Sequence, residues 1–381
     1  MKNEFIKTTS GKDINRVVDE IIGKDTLFIL LFYGADANVE SIYDALKKSG
    51  KYFLGCMDSA RFLDKQYSDD TQNIAAMSFS SKLFSDYAFD IVDVSENRSR
   101  EQIREESYKK FYNAAKGTSI DLSNPEMKRD FAINLVYGLN SATPFLEGQT
   151  RAGMMLQTVG GSSGGKADLL VSNVISHGGI GKMGAFFLGR LAEGFEFFID
   201  HTSSFDRLPG KQLVVTKLSN HCHILEFNNL PAAREYASVL GISVNNLSPE
   251  IFATYTFGIE PSKDDRLITG IMKQDEGLGL ITGNDVVDGS VFNVYKATDQ
   301  LPDRLSKLNL LKNKNLIAYI SFDCTFCYLS RKSTCSVDKM ANLYADRLPN
   351  VPIIGFGTFG ENFCGANIHQ TETFIAIYKS K

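Results

Sequence analysis

The sequence predicts an α/β fold of mixed α+β character: two packed domains, 1–228 and 229–381, with repeated strand–helix–strand units and mixed sheets. Three observations predict it. Apolar runs of strand length stand at Leu27–Tyr33, Phe131–Tyr137 and Leu316–Phe322. Each is followed by a helical stretch and then a second short strand. Each second strand leads into a turn of small or polar residues: Met57-Asp58-Ser59, Gly160 to Gly165, and Gly355 to Gly360. One architectural theme is therefore used more than once.

The elements follow in order. Asp13 to Ile22 places Ile14, Val17, Val18, Ile21 and Ile22 at helical spacing. Leu27 to Tyr33, bounded by Lys24-Asp25 and Gly34-Ala35-Asp36, suits a strand buried on both faces. Val39 to Lys48 is a helix stopped by Gly50, and Tyr52 to Cys56 is a strand. Glu96 to Lys128 is highly charged and reads as a solvated helix laced with opposite charges. Phe131 to Tyr137 is a strand and Pro144 to Gln157 a helix. The domain boundary falls near Asn228 to Pro231, where Pro231-Ala232-Ala233 opens a helix. Lys332 to Leu348 is helical, Val351 to Ile354 a strand, Glu361 to Asn367 a polar loop and Thr371 to Tyr378 a strand.

Composition bounds the function. At about 150 residues per domain, 381 residues make two to three domains. With 43% hydrophobic and 23% charged residues the chain is globular rather than disordered. The 41 basic and 45 acidic residues leave a net charge of -4 without a basic cluster, which argues against a nucleic-acid partner. No apolar run approaches the roughly 20 residues of a membrane helix, so no membrane insertion is expected. Met1 to Lys12 is polar and charged rather than an apolar signal segment, which predicts a cytoplasmic protein. Its six cysteines are then free thiols, metal ligands or redox groups rather than disulfides.

Four motifs carry chemistry in principle. Gly160 to Gly165 matches G-x-S-x-G in two frames, centred on Ser162 and Ser163. A nucleophile elbow needs a helix next, whereas Leu169 to Ser176 is a β-type run. Gly355 to Gly360 spells G-x-G-x-x-G without a following helix, so its glycines serve close backbone approach to a ligand or a turn. Cys324-x-x-Cys327, with Cys335 beyond, has the spacing of a metal knuckle. Zinc or an iron–sulfur cluster would need a fourth ligand, Cys364 or a His, and buried free thiols are the default. Of the five histidines, His221 and His223 suit an exposed hairpin edge, while His201 and His369 adjoin turn-rich polar segments.

Taken together, these segments resemble the FIST family, whose members carry an N-terminal and a C-terminal FIST domain. Val159-Gly160-Gly161-Ser162 resembles the family's V-G-G-S segment. Val214 to Lys217, followed by Leu225 to Tyr236 and Gly241, resembles its interdomain junction. Gly277 to Gly289 resembles its glycine hairpin, and Phe322-Asp323-Cys324 its central strand and cysteine turn. Ile354 to Glu361 resembles its G-F-x-T-x-G-E-I signature, and His369-Gln370-Thr371 its H/N-x-T ending. The likeness runs from about Leu27 to Tyr378 and is weakest at Glu96 to Met127. Two departures stand out. Gly55-Cys56-Met57-Asp58-Ser59 replaces the family's G-C-S-T-x-G-E turn, and Asn362 replaces the usual Ile.

The resemblance implies a bacterial cytoplasmic sensor that binds a small ligand such as an amino acid. Ending at Lys381, just after the homology, the chain would report through a separate signalling partner. In this reading backbone N–H groups around Gly161, Ser162, Ser163, Gly357 and Thr358 hold a carboxylate. Glu361 pairs with a ligand amine, His369 adjoins the site, and Arg151 is a second carboxylate holder. Some standalone family members bind haem, respond to nitric oxide and regulate a histidine kinase. That alternative makes His201, or else His369, the axial ligand. A third, hydrolytic reading needs Ser162, Glu361 and His369 to converge.

Overall fold

A computed structural model describes residues 3–138, 141–165, 172–262 and 266–380. The chain divides into two compact units. The first holds Met1–His201, Leu305–Asn367 and Glu372–Lys381; the second holds Thr202–Arg304 and Ile368–Thr371.

The first unit is built from one pattern three times. The first repeat contains β1 (Ile6–Gly11), α1 (Ile14–Ile21), β2 (Thr26–Gly34), α2 (Val39–Lys48), β3 (Tyr52–Asp58), the hairpin β4 (Arg61–Leu63) and β5 (Gln66–Ser68), and β6 (Ile74–Ser80). The second contains β7 (Phe84–Asp93), α3 (Arg100–Lys116), β8 (Asp130–Val136), α4 (Ala142–Ala152), β9 (Gln157–Ser162), the hairpin β10 (Val174–Ser176) and β11 (Gly179–Gly181), and β12 (Met183–Leu191). The third opens with β13 (Phe195–Thr202) and is then interrupted by the second unit.

That unit contains β14 (Phe205–Asn220), β15 (His223–Phe227), β16 (Leu230–Pro231), α5 (Ala232–Leu240), α6 (Pro249–Thr254), β17 (Tyr255–Ile259), β18 (Leu267–Thr269), β19 (Ile271–Gln274), β20 (Leu280–Thr282) and β21 (Val291–Ala297). Its strands run in the order β18-β17-β21-β14-β15-β20-β19, around buried Phe227, Tyr236, Phe252, Phe257 and Phe292. The third repeat resumes with α7 (Gln300–Leu310), β22 (Asn315–Cys324), α8 (Thr325–Ser333), α9 (Val337–Arg347), β23 (Ile353–Thr358), the hairpin β24 (Glu361–Phe363) and β25 (Ala366–Ile368), and β26 (Glu372–Lys379).

In each repeat a parallel pair forms the middle of a six-stranded sheet: β2–β3, β8–β9 and β22–β23. The fold is mixed α+β. The hairpins leave home. β4–β5 completes the third repeat's sheet at β23, β24–β25 the second's at β9, and β10–β11 the first's at β3. This closes a cycle, and the inner faces share one apolar core that includes Phe32, Leu135, Phe322 and Phe356. The rings of Phe32 and Phe356 stack 4.3 Å apart. Each fully buried Phe contributes about 1.5–3 kcal/mol of transfer free energy.

The apolar runs identify the central strands, since all nine residues of β2 and all seven of β8 are buried. Several boundaries differ from the sequence reading. The helix expected over Pro144 to Gln157 stops at Ala152 because Gly153 caps it, and Gln157 already begins β9. Only 17 residues of the charged stretch are helical, started by a capping box between Ser99 and Gln102. Lys332 to Leu348 is interrupted, with α8 ending at Ser333 and α9 starting at Val337. Gly160 to Ser162 and Gly355 to Thr358 are strand rather than turn, and Glu361 to Ile368 is a hairpin rather than a loop. Of the β-type run from Leu169, Val174–Ser176 is strand and 169–171 lie outside the described residues. No helix among the described residues is long and apolar enough to cross a membrane.

Candidate functional site

The exchanged hairpins give the three repeats equivalent corners. In register, Arg61 faces Phe356, Glu361 faces Gly161 and Val174 faces Cys56. Cys56, Gly161 and Phe356 are thus matched positions. Two residues further on, on the same face by the pleat, stand Asp58, Ser163 and Thr358. Each is tied to a residue beside its own hairpin: Asp58 to Arg61, Ser163 to Ser172, and Thr358 to Glu361. Asp58, Ser163, Thr358 and Glu361 are all at most 1% exposed.

Backbone bonds knit these corners together. Gly164 N–H donates to Met57 O at 2.9 Å, Gly357 N–H to Ala60 O at 2.6 Å, and Ser162 N–H to Gly360 O at 2.7 Å. Small residues make the approach possible. A Cβ on Gly161 would lie 2.4 Å from Thr358 Cγ2, and one on Gly164 would lie 2.6 Å from Gly357 O. The same bonds correct the expected backbone cradle, because the N–H groups of Ser162, Ser163 and Gly357 are already used within the protein.

The corners differ in charge. Arg61 holds Asp58 through Nε and Nη2 at 2.7–3.0 Å and donates from Nη1 to the carbonyls of Asp70 and Asn73. Burial nevertheless raises the Asp58 carboxyl above its ordinary range, against the opposing pull of Arg61. Thr358 carries a hydroxyl where Asp58 carries charge, and its partner is the Glu361 carboxylate. Ser59 Oγ and Thr325 Oγ1 lie 2.6 Å apart beside Gly357. A cavity of about 10 Å³, room for about one water, is lined there by Ala60, Tyr67, Ser321, Asp323, Tyr328 and Gly357.

The opposite face of the second sheet is also polar. Asn134, Gly160 and Asn362 form one cross-strand row, and Ser162 follows Gly160 on that face. Asn134 and Gln149 of α4 exchange two carboxamide hydrogen bonds at 2.9 and 3.0 Å. Asn362 and Ser162 are fully buried, yet neither end of the Asn362 amide nor Ser162 Oγ has a hydrogen-bond partner among the described residues.

The remaining expected residues fall elsewhere. Arg151 is on the exposed side of α4, paired with Glu105 and stacked 4.6 Å from the Tyr108 ring centroid. Ser162 faces away from Glu361 by the pleat, and His369 belongs to the second unit. His369 is packed against Gly270 and Gly283, and burial lowers its pKa to about 4. His201 stacks 4.5 Å from the Phe363 ring centroid. A haem slot would leave its axial imidazole accessible, but His201 is 4% exposed and His369 2%. Neither fits haem in this conformation. Cys324 ends β22, Cys327 lies in α8, and both are buried. No group of three or more His, Cys, Asp or Glu among the described residues is placed to hold a metal ion.

The FIST N domain model matches residues 27–230, and the FIST C domain model matches 232–364. The chain belongs to the FIST family. FIST domains are sensory domains implicated in signal transduction and small-ligand binding. No protein with a curated description matches this FIST chain in sequence. Among solved structures, a cyanuric acid hydrolase from A. caulinodans aligns at 8% identity and a TM-score of 0.43, covering 99% of each chain. Phosphoribosylformylglycinamidine synthase II from Thermotoga maritima aligns at 9% identity and a TM-score of 0.20, over 98% of this chain and 72% of that one. Neither likeness extends to function at these scores.

In this FIST protein Asp58 and Arg61 of the first corner and Asn362 of the polar face beside it are buried polar residues that motif reading missed. The signal was available. Laying Gly55 to Arg61 over Gly355 to Glu361 puts Asp58 on Thr358 and Arg61 on Glu361.

Proposed function

We propose that this FIST protein is a cytoplasmic receptor for a small, amino-acid-like metabolite and signals through a separate protein such as a histidine kinase. The observation that supports this reading is the meeting of three buried polar corners in one unit, Asp58–Arg61, Ser163–Ser172 and Thr358–Glu361. Buried polar groups are costly, and a fold maintained for packing alone would replace them with apolar ones. In this reading the Glu361 carboxylate receives a ligand amine, while hydroxyls of Ser163 and Thr358 complete the polar wall. Arg61 stays with Asp58 and Arg151 takes no part. The domain division remains 1–228 and 229–381, with ligand groups drawn from both sides of it.

With so little open space beside Gly357, a ligand enters only when a corner opens, which couples binding to a change of shape. A thermal-shift screen of amino acids and related metabolites tests the reading, followed by calorimetry on the hits. Binding weakened by Glu361→Gln is expected. A purified, folded protein that no such metabolite stabilises overturns it.

A further inference from the structure

The buried face of β9 and β24 is built like half of an amide recognition site. Asn362 offers an N–H donor and a carbonyl acceptor, both fully buried and both without a protein partner among the described residues. Ser162 Oγ, on the same face one row along, is equally buried and equally without a partner. Leaving such groups unmet is costly, because each has given up its hydrogen bonds to water without replacement. An apolar residue at either position would avoid that cost.

The far end of the same row shows how a carboxamide is satisfied on this face. Asn134 and Gln149 meet edge to edge, each giving one N–H and accepting one, at 2.9 and 3.0 Å. Gly160, between Asn134 and Asn362, brings no side chain that could serve Asn362 in the same way. What Asn362 lacks is therefore a second planar group with a donor and an acceptor side by side. A carboxylate supplies only acceptors and an ammonium only donors. A primary amide or a ureido group supplies both.

We infer that Asn362 and Ser162 form a subsite for the planar amide or ureido group of a small ligand. The inference rests on the sensory reading above and names the ligand class within it. Asn362 pairs with the amide edge as Asn134 pairs with Gln149, and Ser162 Oγ meets the remaining N–H or C=O.

The test is calorimetry and thermal shift on the full chain with matched probes: glutamine against glutamate, asparagine against aspartate, and urea alone. The amide member of at least one pair binds about tenfold more tightly than its acid. Asn362→Leu brings that ratio to about one while the protein still melts cooperatively. Ser162→Ala, a smaller change, lowers the ratio in the same direction and serves if the leucine variant fails to fold. Equal binding of amide and acid, or a preference that both variants retain, overturns the subsite and leaves water as the occupant. If wild-type protein binds amino acids of other kinds but no amide or urea, the subsite falls and the sensory reading stands. If it binds no metabolite at all, both fall.

Discussion

The first and third corners occupy the same place in the repeat and solve it in opposite ways. At the first, Asp58 and Arg61 neutralise each other, and the guanidinium's remaining donors go to Asp70 O and Asn73 O. At the third, a hydroxyl stands for the carboxylate and a carboxylate for the guanidinium. Equal backbone geometry therefore does not mean equal chemistry. The first corner is a closed ion pair whose work is structural. The third presents a buried carboxylate beside small residues, and it is the corner that matches the family signature over Ile354 to Glu361.

The comparison breaks most sharply at Arg61. Arg61→Ala leaves the Asp58 carboxylate buried and unpaired, and destabilises the protein by about 3–5 kcal/mol in urea unfolding. The double variant Asp58→Asn with Arg61→Met recovers most of that loss. A small effect of Arg61→Ala would make the first corner as ligand-like as the third.

Acid acts on the second unit through His369. His369 has its folded-state pKa lowered from 6.5 to about 4 by burial, so the unfolded chain takes up a proton first. Its contribution to stability is full above pH 6.5 and is lost as pH falls towards 4, amounting to about 3 kcal/mol. His369→Asn flattens that limb of a stability-against-pH curve. An unchanged limb would assign the acid loss to other groups.

At the third corner, Glu361→Gln lowers ligand affinity about tenfold, or about 1.4 kcal/mol, and changes stability far less than Arg61→Ala does. Calorimetry beside urea unfolding distinguishes the two quantities. Loss of stability without loss of affinity would make this corner structural as well. The second corner is the mildest. Ser163→Ala removes the hydroxyl's hydrogen bond with Ser172 and the longer one it accepts from Gly138 N–H, and costs about 1 kcal/mol, read as a shift in the urea midpoint.

Local pattern made the central strands legible, since continuous apolar runs are what a strand covered on both faces requires. It also made the threefold theme visible. Hairpin exchange was not legible, because β4 finds its partner about 290 positions away in sequence and no local signal encodes that pairing. The glycines misled for a related reason. Gly161 and Gly355 look like turn residues, yet they sit in strands because another backbone or side chain crosses against them. The insertion after β13 was hidden too, as no compositional change marks Thr202 or Arg304. Of the candidate site, Ser163, Thr358 and Glu361 were readable from motifs, Asp58 and Asn362 stood out only as departures from them, and no motif reached Arg61.

The exchange of hairpins has a consequence for how the first unit comes apart. Every sheet lends an edge to one neighbour and borrows an edge from the other, so no repeat can be peeled away without stripping strands from both. Such an arrangement behaves as an interlock. Amide protons of β3, β9 and β23 then exchange through a single opening event rather than three, and the corners loosen together or not at all.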